Sequence, residues 1–409
     1  MLAGEADQAL HLAQHLADRG VDLHVLTTTG SVTPSNSRFK VHPIMRNWTW
    51  TEMMRLARFM RSCKPDIVLL MYIGWIYRGH PMITFAPTIA KVLLSKALFV
   101  TQFSNVSGAV RGNIASGFCR TAVSFMSGGS KDVSDEFGTL LSGSDRIIVL
   151  SDHHKSVLAR QCAAVAEKTA LIPPPPIMPI APAAAATRQR VRESLGVKPN
   201  EFLLAYLGYI YPVKGIETLL RAFHALSQRR DDTRLVLVGG VFTGDDPGHL
   251  GYKDYLLSLA TDLGIADRIT WTGAYDWDSF DASFYLRAAD AFVLPIDTGA
   301  QLNNSSFSAA AAHGLPIVAT RSFLYERPFS HRENVFFCPP KDPALMAAAI
   351  ETLMDDPALR ATLRRGALKI ADAWFCWDKA TSRILETLMG NPSRPVDDPS
   401  FDARLAEAD

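Results

Sequence analysis

Apolar residues along this chain fall in short runs, and between most runs they recur at helical spacing. In the first half, Leu23–Thr28, Asp66–Tyr72, Ala97–Thr101 and Arg146–Leu150 read as strands. In the second half, Phe202–Gly208, Arg234–Gly240, Arg268–Gly273, Ala291–Pro295, Pro316–Thr320 and Val335–Cys338 do so. Such continuous apolar runs suit strands covered on both faces. Ala6, Ala9, Leu10, Ala13, Leu16 and Ala17 share one face of a helix, and Ile216, Leu219, Leu220, Phe223 and Leu226 share another. Strands alternating with amphipathic helices predict an α/β chain of doubly wound, parallel, Rossmann-like sheets.

The pattern breaks once, at Pro173–Pro176, Pro179 and Pro182, ahead of a helix predicted over Ala183–Leu195. Proline clusters are stiff and poorly helical, so this stretch reads as a linker. The expected organisation is an N-terminal domain over 1–172, a linker over 173–200 and a C-terminal domain over 201–375. Trp374, Trp377 and Ile384 mark a C-terminal helix, set at 376–390, and 391–409 are expected to form a loose tail. Two such domains would face each other across a cleft. The chain opens on a loop, Ala3-Gly4-Glu5, and then a helix, so the strand that normally precedes this helix is expected to be missing, most simply by truncation.

Composition narrows the classes. The 409 residues carry 42 Lys plus Arg against 41 Asp plus Glu, which argues against a general nucleic-acid binder. The charge is uneven: 18 basic and 12 acidic side chains in 1–172, then 24 and 29 in 173–409. A basic first half fits a solvated surface, or contact with anionic substrates or a membrane surface. Cys63, Cys119, Cys162, Cys338 and Cys376 are scattered with no CxxC, which points away from a disulfide framework or a zinc site and toward a reducing cytoplasm. The longest apolar stretch, Met82 to Phe103, is broken by Pro87, Lys91 and Lys96, so no membrane span is expected.

Two segments carry candidate chemistry. In AYLGYIYPVKGIETLL a strand ends at Gly208, a loop follows, and Lys214-Gly215 opens a helix. Glycines let backbone approach a ligand, and a helix start offers N–H groups and partial positive charge beside the Lys214 ammonium. Those parts suit a diphosphate, and equally a lysine in a solvated loop. In ADAFVLPIDTGAQLNNSSFSAAAAHGLPIVATR a strand stops at Pro295, and Asn303, Asn304, Ser305 and Ser306 precede a helix. Ser305 or Ser306 would cap that helix. The same N–H groups could hold a second face of an anion. Three further features are weaker. His153-His154 lacks ligand partners at metal spacing, Asp245-Asp246 reads as a surface turn, and Met71, Tyr72, Trp75, Tyr77 and Arg78 read equally as loop packing or a sugar-stacking edge.

The order of these segments, with LVLVGG, RITWTGAY, AADAFVLP…HGLPIVAT and ENVFFCPPKDP, resembles the C-terminal half of glycosyltransferase family 4 (group 1), retaining enzymes of the GT-B fold. AGEADQALHLAQHLADRGVDLHVLT and SDRIIVLSDHHKSVL followed by IPPPP resemble its N-terminal half more weakly. The resemblance implies a nucleotide diphosphate-sugar as co-substrate, with no separate cofactor and no metal, its diphosphate near Lys214, and a crossing of the 376–390 helix back to the first domain. It implies binding positions at Gly4, Phe103, Asn105, Gly208, Tyr209, Gly215, Gly240, Tyr275, Asn303, Asn304, Ser305 and Ser306, and catalytic roles for Lys214 and Gln301. The chain departs from the family where a clamp arginine falls on Tyr209, two glutamates fall on Gln301 and Ala309, and a histidine falls near Phe103.

The resulting expectation is a cytoplasmic hexosyltransferase of polysaccharide type, with room for peripheral membrane contact, acting on a glycan, lipid-linked sugar or small molecule. Gln102, Ser104, Asn105, Asp297, Asn303, Asn304 or Tyr209 would then replace the lost groups, or the donor would be gripped differently. The alternative is a catalytically degenerate GT-B-like subunit that acts as a binding partner in cell-envelope biosynthesis. A sugar-nucleotide epimerase is disfavoured by the lack of glutamates over 297–309.

Overall fold

The structure is a computed structural model that describes residues 4–31, 38–106, 134, 136–241, 249, 251–276, 278–324 and 326–390. The chain divides into two compact units, Met1–Pro173 with Asp378–Asp409, and Pro174–Trp377. Asp245-Asp246 and the tail over 391–409 lie outside the described residues.

In the first unit, helix α1 (Gly4–Asp18) precedes β1 (His24–Thr28) and β2 (Lys40–Met45). Helix α2 (Met53–Cys63), β3 (Ile67–Tyr72), α3 (Ala86–Leu93) and β4 (Leu98–Phe103) follow. Then come α4 (Leu140–Gly143), β5 (Arg146–Val149), α5 (Asp152–Gln161) and β6 (Thr169–Leu171). All pairings are parallel, in two separate sheets: β1-β2, and β3-β4-β5-β6. Among the described residues β1 and β3 each keep one unpaired edge. The sequence reading missed β2, whose Pro43 demotes it on pattern; as an edge strand it tolerates the missing donor. It also missed β6, which is only three residues long. Helix α1 starts at Gly4, so the expected loop at Gly4-Glu5 is helical. Its buried side chains are Leu12, Ala13 and Leu16 with Asp7 and Gln8, whereas Ala6 is exposed, so the buried stripe is rotated from the expected one.

The second unit runs α6 (Ala185–Ser194), β7 (Phe202–Leu207), α7 (Ile216–Ser227), β8 (Thr233–Val238), α8 (Tyr252–Asp262) and β9 (Ile269–Gly273). It continues through α9 (Asp281–Ala288), β10 (Ala291–Leu294), α10 (Ser305–Ala312), β11 (Ile317–Thr320) and β12 (Phe336–Cys338). Helices α11 (Pro343–Asp355) and α12 (Pro357–Trp374) end it. Its six strands are all parallel in the order β12-β11-β10-β7-β8-β9. Ile216, Leu219, Leu220, Phe223 and Leu226 on α7 are fully buried against this sheet, which is why their helical spacing was legible. Helix α13 (Trp377–Met389) belongs to the first unit from Asp378 onward. It is held there by Arg19 Nη2 to Asp378 (3.2 Å) and by Arg383 Nη2 donating to the Leu171 carbonyl (2.8 Å). Among the described residues, no helix is long and apolar enough to cross a membrane.

One buried histidine makes the second unit acid-sensitive. His313, 3% exposed, has Nδ1 2.7 Å from the Ala309 carbonyl and Nε2 2.6 Å from Ser283 Oγ. Ser283 Oγ also accepts from the Ala181 N–H, so its hydroxyl proton is directed to Nε2 and the ring is held neutral. Burial, chiefly, pushes the imidazole down to about 4. The unfolded chain therefore binds the extra proton first, and stability falls as pH drops from about 6.5 to about 4, by about 3 kcal/mol in total. Urea midpoints at pH 7 and pH 5 should show this loss in the wild type and a flatter profile in His313→Gln.

Candidate active site in the second unit

The strand order reverses at β7. The chain first moves outward through β8 and β9, then crosses to the other side through β10, β11 and β12. In open α/β sheets the carboxyl ends of the two strands flanking such a reversal form a binding crevice. Here those strands are β7 and β10, paired through Leu204 and Ala291. Both candidate segments leave from their carboxyl ends.

The two segments touch. Gly208 has φ +140°, and a Cβ there would stand 3.1 Å from Ser306 Oγ and 3.2 Å from Tyr206 Oη. Gly215 caps the start of α7 in the left-handed region (φ +73°), and a Cβ there would land on the Pro295 carbonyl oxygen. Asp297 N–H donates to the Val213 carbonyl (3.1 Å), a second tie between the loops, and Val213 itself has φ +71°. The ladder also continues past β7, with Gly208 N–H donating to Val238 O and Ile210 N–H to Gly240 O, both at 2.9 Å.

Lys214 is part-buried, with Nζ 5.1 Å from the centroid of the Tyr211 ring. Among the described residues no carboxylate lies within ion-pair distance of it, so its charge is not already neutralised by the protein. The buried Tyr206 hydroxyl donates to the Tyr209 carbonyl (3.1 Å), fixing the loop's first turn. Burial raises the Tyr206 phenol far above its ordinary value, and the phenols of Tyr211, Tyr252 and Tyr275 add to the effect. Gly240 is placed beside the glycine loop by its hydrogen bond from Ile210, and Tyr275 follows two residues after the end of β9.

At the other segment the cap differs from expectation. Asn304, not Ser305 or Ser306, is the N-cap of α10, and its side chain makes no capping bond. Its Oδ1 instead accepts from Gln301 N–H (2.7 Å), while Gln301 O accepts from Asn304 N–H (3.0 Å). With the cap side chain turned away, the Ser305 and Ser306 N–H groups in the first turn have no protein acceptor among the described residues. That leaves two donors and the positive end of a helix beside Gly208. Asn303 is part-buried in the same turn.

The comparisons with known proteins bear on this arrangement. Residues 187–369 match the model of the glycosyl transferases group 1 family. That match lies within the second unit, which is thus similar to the family over most of its length. A D-inositol 3-phosphate glycosyltransferase of Actinosynnema mirum is 29% identical over 254 residues, covering 60% of this chain and 57% of that protein. A GDP-mannose-dependent alpha-(1-6)-phosphatidylinositol monomannoside mannosyltransferase of Mycobacterium tuberculosis is 29% identical over 213 residues, covering 51% and 52%. The chain thus spans about half the length of the curated relatives it matches. Among solved structures, HepE of Anabaena in complex with UDP and glucose aligns at a TM-score of 0.68 and 16% identity, over 95% of this chain and 96% of that one. A glycosyltransferase of Rickettsia africae aligns at 0.69 and 14%, over 96% and 97%. The fold is that of the GT-B glycosyltransferases.

The two positions where the resemblance would place glutamates, Gln301 and Ala309, carry no charge. Ala309 is 1% exposed, so its methyl faces the core. Gln301 is held in the turn by its backbone. One carboxylate here escaped the sequence reading. Glu326, 1% exposed, accepts from the Leu302 N–H (2.5 Å) and so supports the 301–304 turn from beneath. A lone glutamate in RSFLYERP carries no pattern that would announce this.

Candidate residues of the first unit disperse. Phe103 is fully buried, packed edge-on against Tyr72 (5.5 Å) and Phe137 (5.7 Å), so its ring faces the core. Gln102 is 1% exposed, and among the described residues its Nε2 and the buried Ser104 Oγ have no hydrogen-bond partner. Asn105 is part-buried just beyond β4. Of the aromatic stretch, Tyr72 and Tyr77 are core, with Tyr77 Oη donating to the Met71 carbonyl (3.0 Å), while Trp75 is exposed. Gly4 is the first residue of α1. His154 is buried and held well down, to about 4, mainly by desolvation, and the His153-His154 pair joins no metal-ligating cluster among the described residues.

Proposed function

We propose that this chain transfers a glycosyl group from a nucleoside-diphosphate sugar to an acceptor hydroxyl, with the donor's diphosphate seated on the second unit. The observation that carries the reading is the meeting of Gly208 with Ser306 at the strand-order reversal, beside two helix N–H groups and an ammonium that have no acceptor or carboxylate partner among the described residues. As the glycosidic bond breaks, negative charge grows on the departing diphosphate. Lys214 Nζ, the Ser305 and Ser306 N–H groups and the α10 dipole would neutralise it without reorganising. Gly208 keeps side-chain bulk out of that space, and Gly215 lets the two loops close on each other at Pro295. Gln301 and Asn303, in the neighbouring turn, would hydrogen-bond the sugar hydroxyls. Tyr275 and Gly240 would border the nucleoside side.

The UDP seen in the Anabaena structure and the GDP-mannose in the mycobacterial relative's name support a nucleotide-sugar donor without selecting the base. Inositol-bearing acceptors in the relatives' names favour a polyol, glycan or lipid-linked sugar. Retention of anomeric configuration, an acceptor held by the first unit, and a cytoplasmic location with peripheral membrane contact complete the reading.

Calorimetric titration of UDP-, GDP- and ADP-sugars, with a product assay on inositol and glycan acceptors, tests it. One nucleotide should bind with clear preference and be consumed with acceptor present. Failure of the folded protein to bind any of the three would sink the proposal. Binding without turnover, together with a stable complex in pull-downs, would favour the partner-subunit reading, which the uncharged Ala309 position supports.

A further inference from the structure

The first unit contains a cluster of metal-ligating atoms away from the site just described. Strand alternation places His24 on β1 and His42 on β2 on one face, since His24 is in register with Lys40 and His42 follows two residues later. Cys63 is the last residue of α2. Phe59, one helical turn earlier, packs on the His42 ring at 4.9 Å and fixes its place over the same face. The result is that His24 Nδ1 lies 3.2 Å from His42 Nε2 and 3.3 Å from Cys63 Sγ. One ligand atom from each of the three falls within 4.8 Å of the others. All three residues are part-buried, so an ion could enter from solvent and still shed part of its water.

We propose that His24, His42 and Cys63 bind one zinc-type divalent ion through Nδ1, Nε2 and Sγ, with water as the fourth ligand. Two imidazoles and a thiolate are a donor set for a borderline-soft ion, and zinc accepts three protein ligands with an open position. Tetrahedral zinc with its usual bond lengths has edges of about 3.3 Å between two nitrogens and about 3.6 Å between nitrogen and sulfur, so the observed spacings need only a small expansion. The Asp22 carboxylate stands 3.8 Å from His24 Nε2, on the ring edge opposite the proposed bond, too far for a hydrogen bond but close enough to add negative charge beside the site. Lys40 Nζ is 3.4 Å from the same nitrogen and opposes a cation, but it also sits 3.8 Å from Asp22, which offsets its charge. Binding releases the Cys63 thiol proton to solvent and leaves both imidazoles neutral, each donating a lone pair. The ion would tie β1, β2 and α2 together at the part of the unit whose two-stranded sheet stands apart from the other four strands.

The test uses the full chain, stripped with a chelator and kept reduced with a phosphine. Titrated Co²⁺ should give a thiolate-to-metal charge-transfer band and the visible bands of a tetrahedral site, saturating at one ion per chain. Cys63→Ser should abolish the charge-transfer band, and both Cys63→Ser and His42→Gln should weaken Zn²⁺ binding by about tenfold or more; Cys162→Ser should change neither. Independently of any variant, Zn²⁺ should slow alkylation of Cys63 in the wild-type chain, read by peptide mass spectrometry. No charge-transfer band, unchanged Zn²⁺ affinity in Cys63→Ser, or equal alkylation with and without Zn²⁺ would each overturn the site.

Discussion

Lys214→Ala is expected to weaken nucleoside-diphosphate binding by roughly 10- to 150-fold. The reason is the loss of charge-assisted contacts worth about 1.5–3 kcal/mol. The ammonium faces a tyrosine ring rather than a carboxylate, so its charge is available to a ligand. Removing it should leave the fold intact, because among the described residues Lys214 makes no ion pair that holds the loop. Calorimetry on wild type and variant, at one ionic strength, checks the figure. A further drop in transfer rate at saturating donor would mean that the charge matters more as the diphosphate departs than in the bound donor. An affinity unchanged by the substitution would contradict the phosphate role.

Gly215→Ala should destabilise the second unit by about 2–5 kcal/mol, the sum of a left-handed backbone cost and overpacking against backbone that cannot move aside. The new methyl would fall on the Pro295 carbonyl, and that carbonyl lies at the end of a central strand. Gly264→Ala is the control. It has a similar φ of +67° but nothing within 4 Å of the added carbon, so it should cost only the backbone part. Urea midpoints of the two variants separate the terms. Equal destabilisation would mean that the two loops are not in contact at Pro295.

Runs such as Phe202–Leu207 and Ala291–Leu294 were legible in the sequence because strands buried on both faces must be apolar at every position. Helix α7 was legible because all five stripe positions are fully buried. Legibility failed where those rules are relaxed. Strand β2 lies at an edge, has one buried residue in six and carries a proline. Helix α1 buries Asp7 and Gln8, which no hydrophobic count would select. The N-cap was misassigned by one residue because Asn304, Ser305 and Ser306 are all good caps, and the choice went to the residue whose side chain the Gln301 backbone could capture.

Order along the chain thus settled the alternation of strand and helix, the proline break between the halves, and the residue types at each loop, since these follow from local burial and backbone preference. Distances between loops did not. Gly208 and Ser306 are 98 positions apart in the chain, and Leu302 finds Glu326 only because β10 and β11 lie side by side. His24, His42 and Cys63 converge from two strands and a helix end, with spacings that match no local motif. Contacts of that kind depend on which strand ends become neighbours, and only packing of the whole sheet decides that.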